Sequence, residues 1–427
     1  MGSRSLRRSM IVGLASVCLV GLTSTPPALA QGGTLDTTFS GDGKAMTNFT
    51  TGDDYIWDVA VQADQKIIGA GTADGGRYFA LARYDAGGTL DGTFGAGGTV
   101  TTDMTQNNDL INAVAVQADQ KIVVVGRVGG SGGRYGLARY DTGGTLDPTF
   151  SGDGKVFTNI VSGWDHPYGL AIQPDGKLVA VGATQVSGGA FSVIRYHSNG
   201  TLDGSFSGDG KLTTNFTTGD DWARDVALQG DGKIVVSGVA GSSSSNKMVA
   251  LARYNANGTL DNSFGGDGKV TKNVNRGFES ANGVGIQLDG KIVTAGSISG
   301  SGGRLLVLRF NANGSIDLSF SGDGVVTTNF TTRDDWAWDL TIQVDGKIVA
   351  AGTAGIGGGD GDFAVARYGT NGGLDNSFGG DGKVVTSITS GIDVATGVGI
   401  QADGNIVVGG RVAGSGGRFG VVRYLAA

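Results

Sequence analysis

Three aspartates (Asp58, Asp225, Asp339) and five tryptophans (Trp57, Trp164, Trp222, Trp336, Trp338) carry the strongest hint of chemistry in this 427-residue chain. Tyr55, His166 and Tyr168 fall in the same short stretches. Indole and phenol rings stack on flat sugar faces or hold cations, and carboxylates accept hydroxyl protons. The set therefore suits a hydroxyl-rich or cationic ligand. Carboxylates can also work as a general acid and base, with Asp225 and Asp339 as the candidates. A second group of acids, Asp54, Asp109, Asp165, Asp221, Glu279, Asp335 and Asp393, recurs regularly along the chain. Such acids read first as caps that accept loop N–H groups, with a ligand role as the alternative.

Other chemistries find little support. His166 and His197 are the only histidines and Cys18 is the only cysteine, which excludes most imidazole and thiolate sites for zinc or copper. No cofactor is expected; a calcium site of carboxylates and carbonyls is the one metal chemistry left open. The run from Gly129 to Gly133 matches G-x-S-x-G but precedes no helical stretch, so the nucleophile elbow lacks its support. The net charge of -7 makes a nucleic-acid backbone an unsuitable partner.

The elements that must position these residues come in repeats. Leu/Ile-Asp-x-Ser/Thr-Phe ends at Phe39, Phe94, Phe150, Phe206, Phe264, Phe320 and Phe378. An Arg-aromatic pair follows the same period of about 56 residues, from Arg83-Tyr84 to Arg423-Tyr424. Each unit holds four short runs of Val, Ile, Thr and aromatics between Gly, Asp and Asn clusters, which predicts four strands. In the fourth unit they read 225–229, 233–237, 248–254 and 268–274. Glycine, at 81 residues, is well above its usual share of about 7%, as dense turns require. Four strands repeated seven times without helices predict an all-β, seven-bladed β-propeller; a linear β-solenoid is the runner-up.

The phase of the repeat follows from crowding at the axis. Segments that alternate small and branched residues, such as Val59-Ala60-Val61, suit the innermost strand, called a; threonine-rich segments suit the outermost, d. The chain then supplies a lone d strand at 43–49 and a lone a-b-c set ending at Tyr424, which together make one blade. All five tryptophans fall in d-to-a loops or at the entry to strand a, hence on one face. The Gln that ends each strand a, from Gln62 to Gln401, and the Asp of each following turn fill one position in every unit and read as structural. The repeating Arg and the Leu-Asp aspartate are expected to pair in the interior.

The recurring unit, assembled from Val59 onward as VAVQADGKIVVAG…FALARYDANGTLDNSFGGDGKV, resembles the bacterial delta-60 repeat, a β-propeller family of unknown function. The resemblance covers Leu35 to Tyr424 and implies the propeller fold and an exported protein. It brings no catalytic residues with it.

Arg4, Arg7 and Arg8, the apolar run Ile11 to Leu22 and Ala28-Leu29-Ala30 form the three parts of a secretory signal peptide. Residues 1–30 are expected to be removed near Ala30, leaving one propeller over 31–427 and a secreted, extracellular, monomeric product with no membrane span. Arg7-Arg8 leaves the general and twin-arginine routes both open. The expected function is a binding or scaffold propeller that engages an extracellular polysaccharide or protein through the tryptophan-bearing face. A carboxylate-dependent polysaccharide hydrolase or lyase on that face is the competing expectation.

Overall fold

The computed structural model describes residues 31–426 apart from 130–131, 186–187, 244–245, 276, 300–301, 358–359 and 415. The expected signal peptide and the centre of the G-x-S-x-G run lie outside the described residues. Among those described there are 28 strands and no helix. They form seven four-stranded antiparallel sheets, each in sequential a-b-c-d order. Each innermost strand packs against its counterparts in the two flanking sheets, and the first touches the last, so the sheets close into a ring. This is the seven-bladed propeller that the repeat predicts.

The seventh blade draws on both ends of the chain. Lys44–Thr47 pairs antiparallel with Arg418–Tyr424, in the register Lys44↔Val422 to Thr47↔Phe419. Arg423 reinforces the closure by an ion pair with Asp36 at 2.8 Å. No open sheet edge remains between first and last blades, which removes a template for edge-to-edge aggregation.

The hydrophobic core is divided into seven clusters, each lying between neighbouring blades. One example joins Val179 and Phe191 of blade 3 to Val226 and Val236 of blade 4. A blade buries both of its faces against neighbours, which explains why strands b and c are apolar almost without alternation. The motif phenylalanines are fully buried. Each Arg of the Arg-aromatic pairs lies over such a ring, 4.5 Å from the Phe94 centroid for Arg83, and holds the Leu-Asp aspartate. The expected pairing is present in all seven units, from Arg83–Asp91 to Arg423–Asp36.

One difference from the sequence reading matters for function. In the fourth unit strand a begins at Trp222, three residues before the expected start at Asp225. The register slips between Ala223 and Asp225, and it does so at the equivalent place in blades 1, 2, 3, 6 and 7. A β-bulge adds one unpaired residue and so breaks the period-2 pattern by which a strand is recognised.

Candidate functional site

The bulge builds the site. Its extra residue is Trp57, Asn112, Tyr168, Arg224, Trp338 and Thr396 in six blades, and Asn282 holds the place in blade 5. All seven line one cavity of about 450 Å³ at one end of the channel. The bulge in turn depends on glycine in strand b. A Cβ on Gly71 would lie 1.8 Å from the Tyr55 carbonyl oxygen, and one on Gly238 would lie 2.0 Å from that of Trp222. The same clash awaits at Gly126, Gly182, Gly296, Gly352 and Gly410. A repeated backbone device thus presents seven positions whose side chains are free to differ, and they differ in nearly every blade.

The residue after the bulge lies one step deeper. There, blades 1, 4 and 6 carry Asp58, Asp225 and Asp339, whereas the others carry Ala113, Gly169, Gly283 and Gly397. Each carboxylate accepts two backbone N–H groups. Its Oδ1 takes the amide of the next residue at 2.7 Å. Its Oδ2 takes an amide of the following blade: Val114 at 2.8 Å, Val284 at 2.8 Å and Val398 at 2.9 Å. The three aspartates therefore stitch blade 1 to 2, 4 to 5 and 6 to 7. They face the lumen but are otherwise walled in by protein, and this burial pushes Asp58 up to about 7 and Asp225 up to about 6. Asp339 is driven well above the carboxylate range by burial and by the charges of Asp58 and Asp225. No group of three or more His, Cys, Asp or Glu residues with metal-holding geometry occurs among the described residues.

Of the residues singled out in sequence, Trp57, Asp58, His166, Tyr168, Asp225, Trp338 and Asp339 share the cavity wall. Tyr55, Trp164, Trp222 and Trp336 lie a step outward as supports. Trp336 sets its ring 5.7 Å from Trp338, and Trp164 sets its ring 5.4 Å from His166. Tyr55 lies beneath the Arg411 guanidinium at 4.4 Å, and Trp222 lies beside Arg224 at 5.3 Å. The regular acids are fully buried caps: Asp54, for instance, accepts the amides of Phe49 at 2.7 Å and Thr50 at 3.2 Å. Asn112, Arg224, Asn282 and Thr396 were missed because they share neither type nor charge. The glycine in every strand b, opposite the start of strand a, was the signal that could have located them.

The cavity wall holds polar atoms with nothing to bond. Asn112 Oδ1, His166 Nε2, Arg224 Nε and Trp338 Nε1 are buried and lack hydrogen-bond partners. The His166 ring stacks on Tyr168 at 4.3 Å, and burial together with Arg127 and Arg224 pushes it down to about 3, so it is neutral near pH 7. Unsatisfied buried groups are costly and in native proteins call for an explanation. The opposite mouth contrasts with this one. Its cavity, of about 980 Å³, is lined largely by the repeating Gln and Asp positions, among them Gln62, Gln117, Gln343 and Asp403.

Fold and mouth together define a seven-bladed propeller with one differentiated end. The chain belongs to the family described as a domain of unknown function (DUF5122) beta-propeller, whose model matches seven segments: 62–94, 117–150, 173–206, 229–264, 287–320, 343–378 and 401–426. No curated protein matches the chain in sequence. Solved structures of similar shape include a protein of unknown function from Dyadobacter fermentans (11% identity, 90% of this chain and 98% of that one, TM-score 0.49). Another is the periplasmic gluconolactonase PpgL of Pseudomonas aeruginosa (13% identity, 85% and 96% covered, TM-score 0.45). A polysaccharide lyase, an ulvan lyase, matches at 11% identity with 90% and 96% covered and a TM-score of 0.46. At this level of similarity none of them bears on function. No helix among the described residues is long and apolar enough to cross a membrane.

Proposed function

We propose that this protein is an exported binding propeller that seats a sugar unit of a polysaccharide at the channel mouth formed by the strand-a bulges. The observation that carries the reading is the contrast between the two mouths. One is lined in part by residues repeated for structural reasons; the other is lined by indole, phenol, amide, guanidinium and hydroxyl groups that differ from blade to blade. Indoles cover the C–H face of a sugar, and fixed polar groups select its hydroxyls. A cavity of about 450 Å³ falls within the range of small-ligand sites, about 300–1,000 Å³. Trp57 is 38% exposed, an apolar surface left open at the mouth.

A glycan and cell-wall binding screen tests this. Binding is expected for the wild type and lost in a Trp57→Ala, Trp338→Ala double variant that keeps its fold. Retention by that variant would refute the placement. The second reading, polysaccharide cleavage using Asp225 and Asp339, is favoured by the raised proton affinity of both carboxyls. Against it, both oxygens of each already serve backbone amides. Release of new reducing ends or unsaturated products from a bound polysaccharide would favour cleavage.

A further inference from the structure

We infer that the sugar unit taken by this mouth is an acidic one, whose carboxylate or sulfate group docks on Arg224, with Arg127 across blade 3 from it. This rests on the saccharide reading above and adds the charge of the ligand. Its ground is Arg224, the one arginine that lines the cavity. The seven arginines of the repeat all hold an aspartate, at 2.7 to 2.9 Å. Arg127 and Arg224 are half-buried on either side of blade 3, and neither pairs with a carboxylate among the described residues. Their Nε atoms are buried without a hydrogen-bond acceptor, as are those of Arg139, Arg367, Arg411, Arg418 and Arg423, but of these Arg224 alone lines the cavity. The chain holds 39 acidic residues against 32 basic ones, so such isolation is not forced by a shortage of partners. A half-buried guanidinium held away from every carboxylate gains most when an external anion supplies the missing acceptors.

The surroundings fix Arg224 for this role. Its guanidinium lies 4.4 Å from the Tyr168 ring centroid and 5.3 Å from that of Trp222, which restrains its plane. Asp225 is adjacent in sequence but does not neutralise it, because that carboxylate is turned to the amides of Val226 and Val284. His166 lies in the blade between the two arginines, its ring stacked on Tyr168 at 4.3 Å, and burial first, then the two cations, favour its neutral form. In a ring of seven, blades 7 and 1 lie across from blade 4 and present Thr396 and Trp57. A sugar with its anion on Arg224 therefore extends its ring toward the indole side.

The test compares charged and neutral forms of the same glycans with the full propeller. The probes are oligogalacturonides, oligoglucuronides and alginate oligosaccharides with their methyl esters, and sulfated galactan oligosaccharides with their desulfated counterparts. Hydrogen bonds to charged groups contribute about 1.5–3 kcal/mol, so at low salt the charged form should bind about tenfold to a hundredfold tighter. Preference within the uronide pairs alone identifies a carboxylate, and preference within the galactan pair alone identifies a sulfate ester. Arg224→Gln should bring the charged form down to the level of its neutral partner, and Arg224→Lys should recover part of the preference. Arg127→Gln, across blade 3, should narrow it. Equal binding of charged and neutral forms by the wild type, or a preference that survives a folded Arg224→Gln variant, overturns the inference. If only neutral glycans bind, the acidic ligand falls and the saccharide reading stands; if no glycan of either kind binds, both fall.

Discussion

Titration of the channel carboxylates provides a test that needs no ligand. An acid whose folded-state pKa is raised holds its proton more tightly folded than unfolded. The stability it supplies is complete below the unfolded value, near 4, and is lost as pH rises through the folded value. Asp58, raised from 3.8 to about 7, and Asp225, raised from 3.8 to about 6, place that window between about pH 4 and 7. At about 1.36 kcal/mol per unit the ceilings are about 4 and about 3 kcal/mol. Lumen water screens both, so roughly half of this is expected to register. His166, with its affinity for protons lowered, acts with the opposite sign over an overlapping window: the stability it supplies is complete above its unfolded value, near 6.5, and is lost as pH falls through about 3. The wild-type curve alone therefore mixes the two trends, and the informative quantity is the difference between variants. Thermal unfolding at pH 4.5, 6 and 8 should show Asp58→Asn, Asp225→Asn gaining on the wild type as pH rises, by roughly 2–4 kcal/mol across the range. His166→Gln should gain on the wild type as pH falls. The amide left facing the Asn side chain costs a pH-independent amount, so the slope is the measure. A variant curve parallel to the wild type from pH 4.5 to 8 would refute the assignment of buried carboxyls with raised proton affinity.

Two further predictions concern the frame. Deleting residues 43–49 removes the strand that pairs with Phe419 to Val422 and should cost on the order of 5 kcal/mol while exposing an apolar edge; an unchanged melting curve with a monomeric elution profile would contradict the closure. Gly238→Ala places a Cβ against the Trp222 carbonyl, so it should cost several kcal/mol or flatten the fourth bulge and withdraw Arg224 from the mouth. Unaltered stability together with unaltered glycan binding would show that the glycine is not what holds the bulge.

The blade number, the phase and the Arg–Asp pairs were legible because each leaves the same residues at the same spacing seven times. Leu-Asp-x-Ser/Thr-Phe and Arg-Tyr repeat because every blade must bury the same ring and satisfy the same guanidinium. The site was legible only in part, and for the converse reason. Trp57 and Trp338 stood out as rare residues and Asp58, Asp225 and Asp339 as irregular acids. Asn112, Arg224, Asn282 and Thr396 are ordinary residues whose meaning lies in a bulge, and a bulge erases the alternation that marks a strand. Trp222 precedes the strand a expected at 225–229 and lies at the first position of the observed one. The roles of the three aspartates could not be read from sequence either, since each bonds an amide of the following blade.

The most direct test of the central claim is a crystal structure with a glycan identified by the binding screen. Sugar density inside the cavity between Trp57, Tyr168, Arg224 and Trp338 is the predicted result. Density at the opposite mouth beside Gln62 and Gln343, or along the outer strands with this cavity left to water, would contradict it.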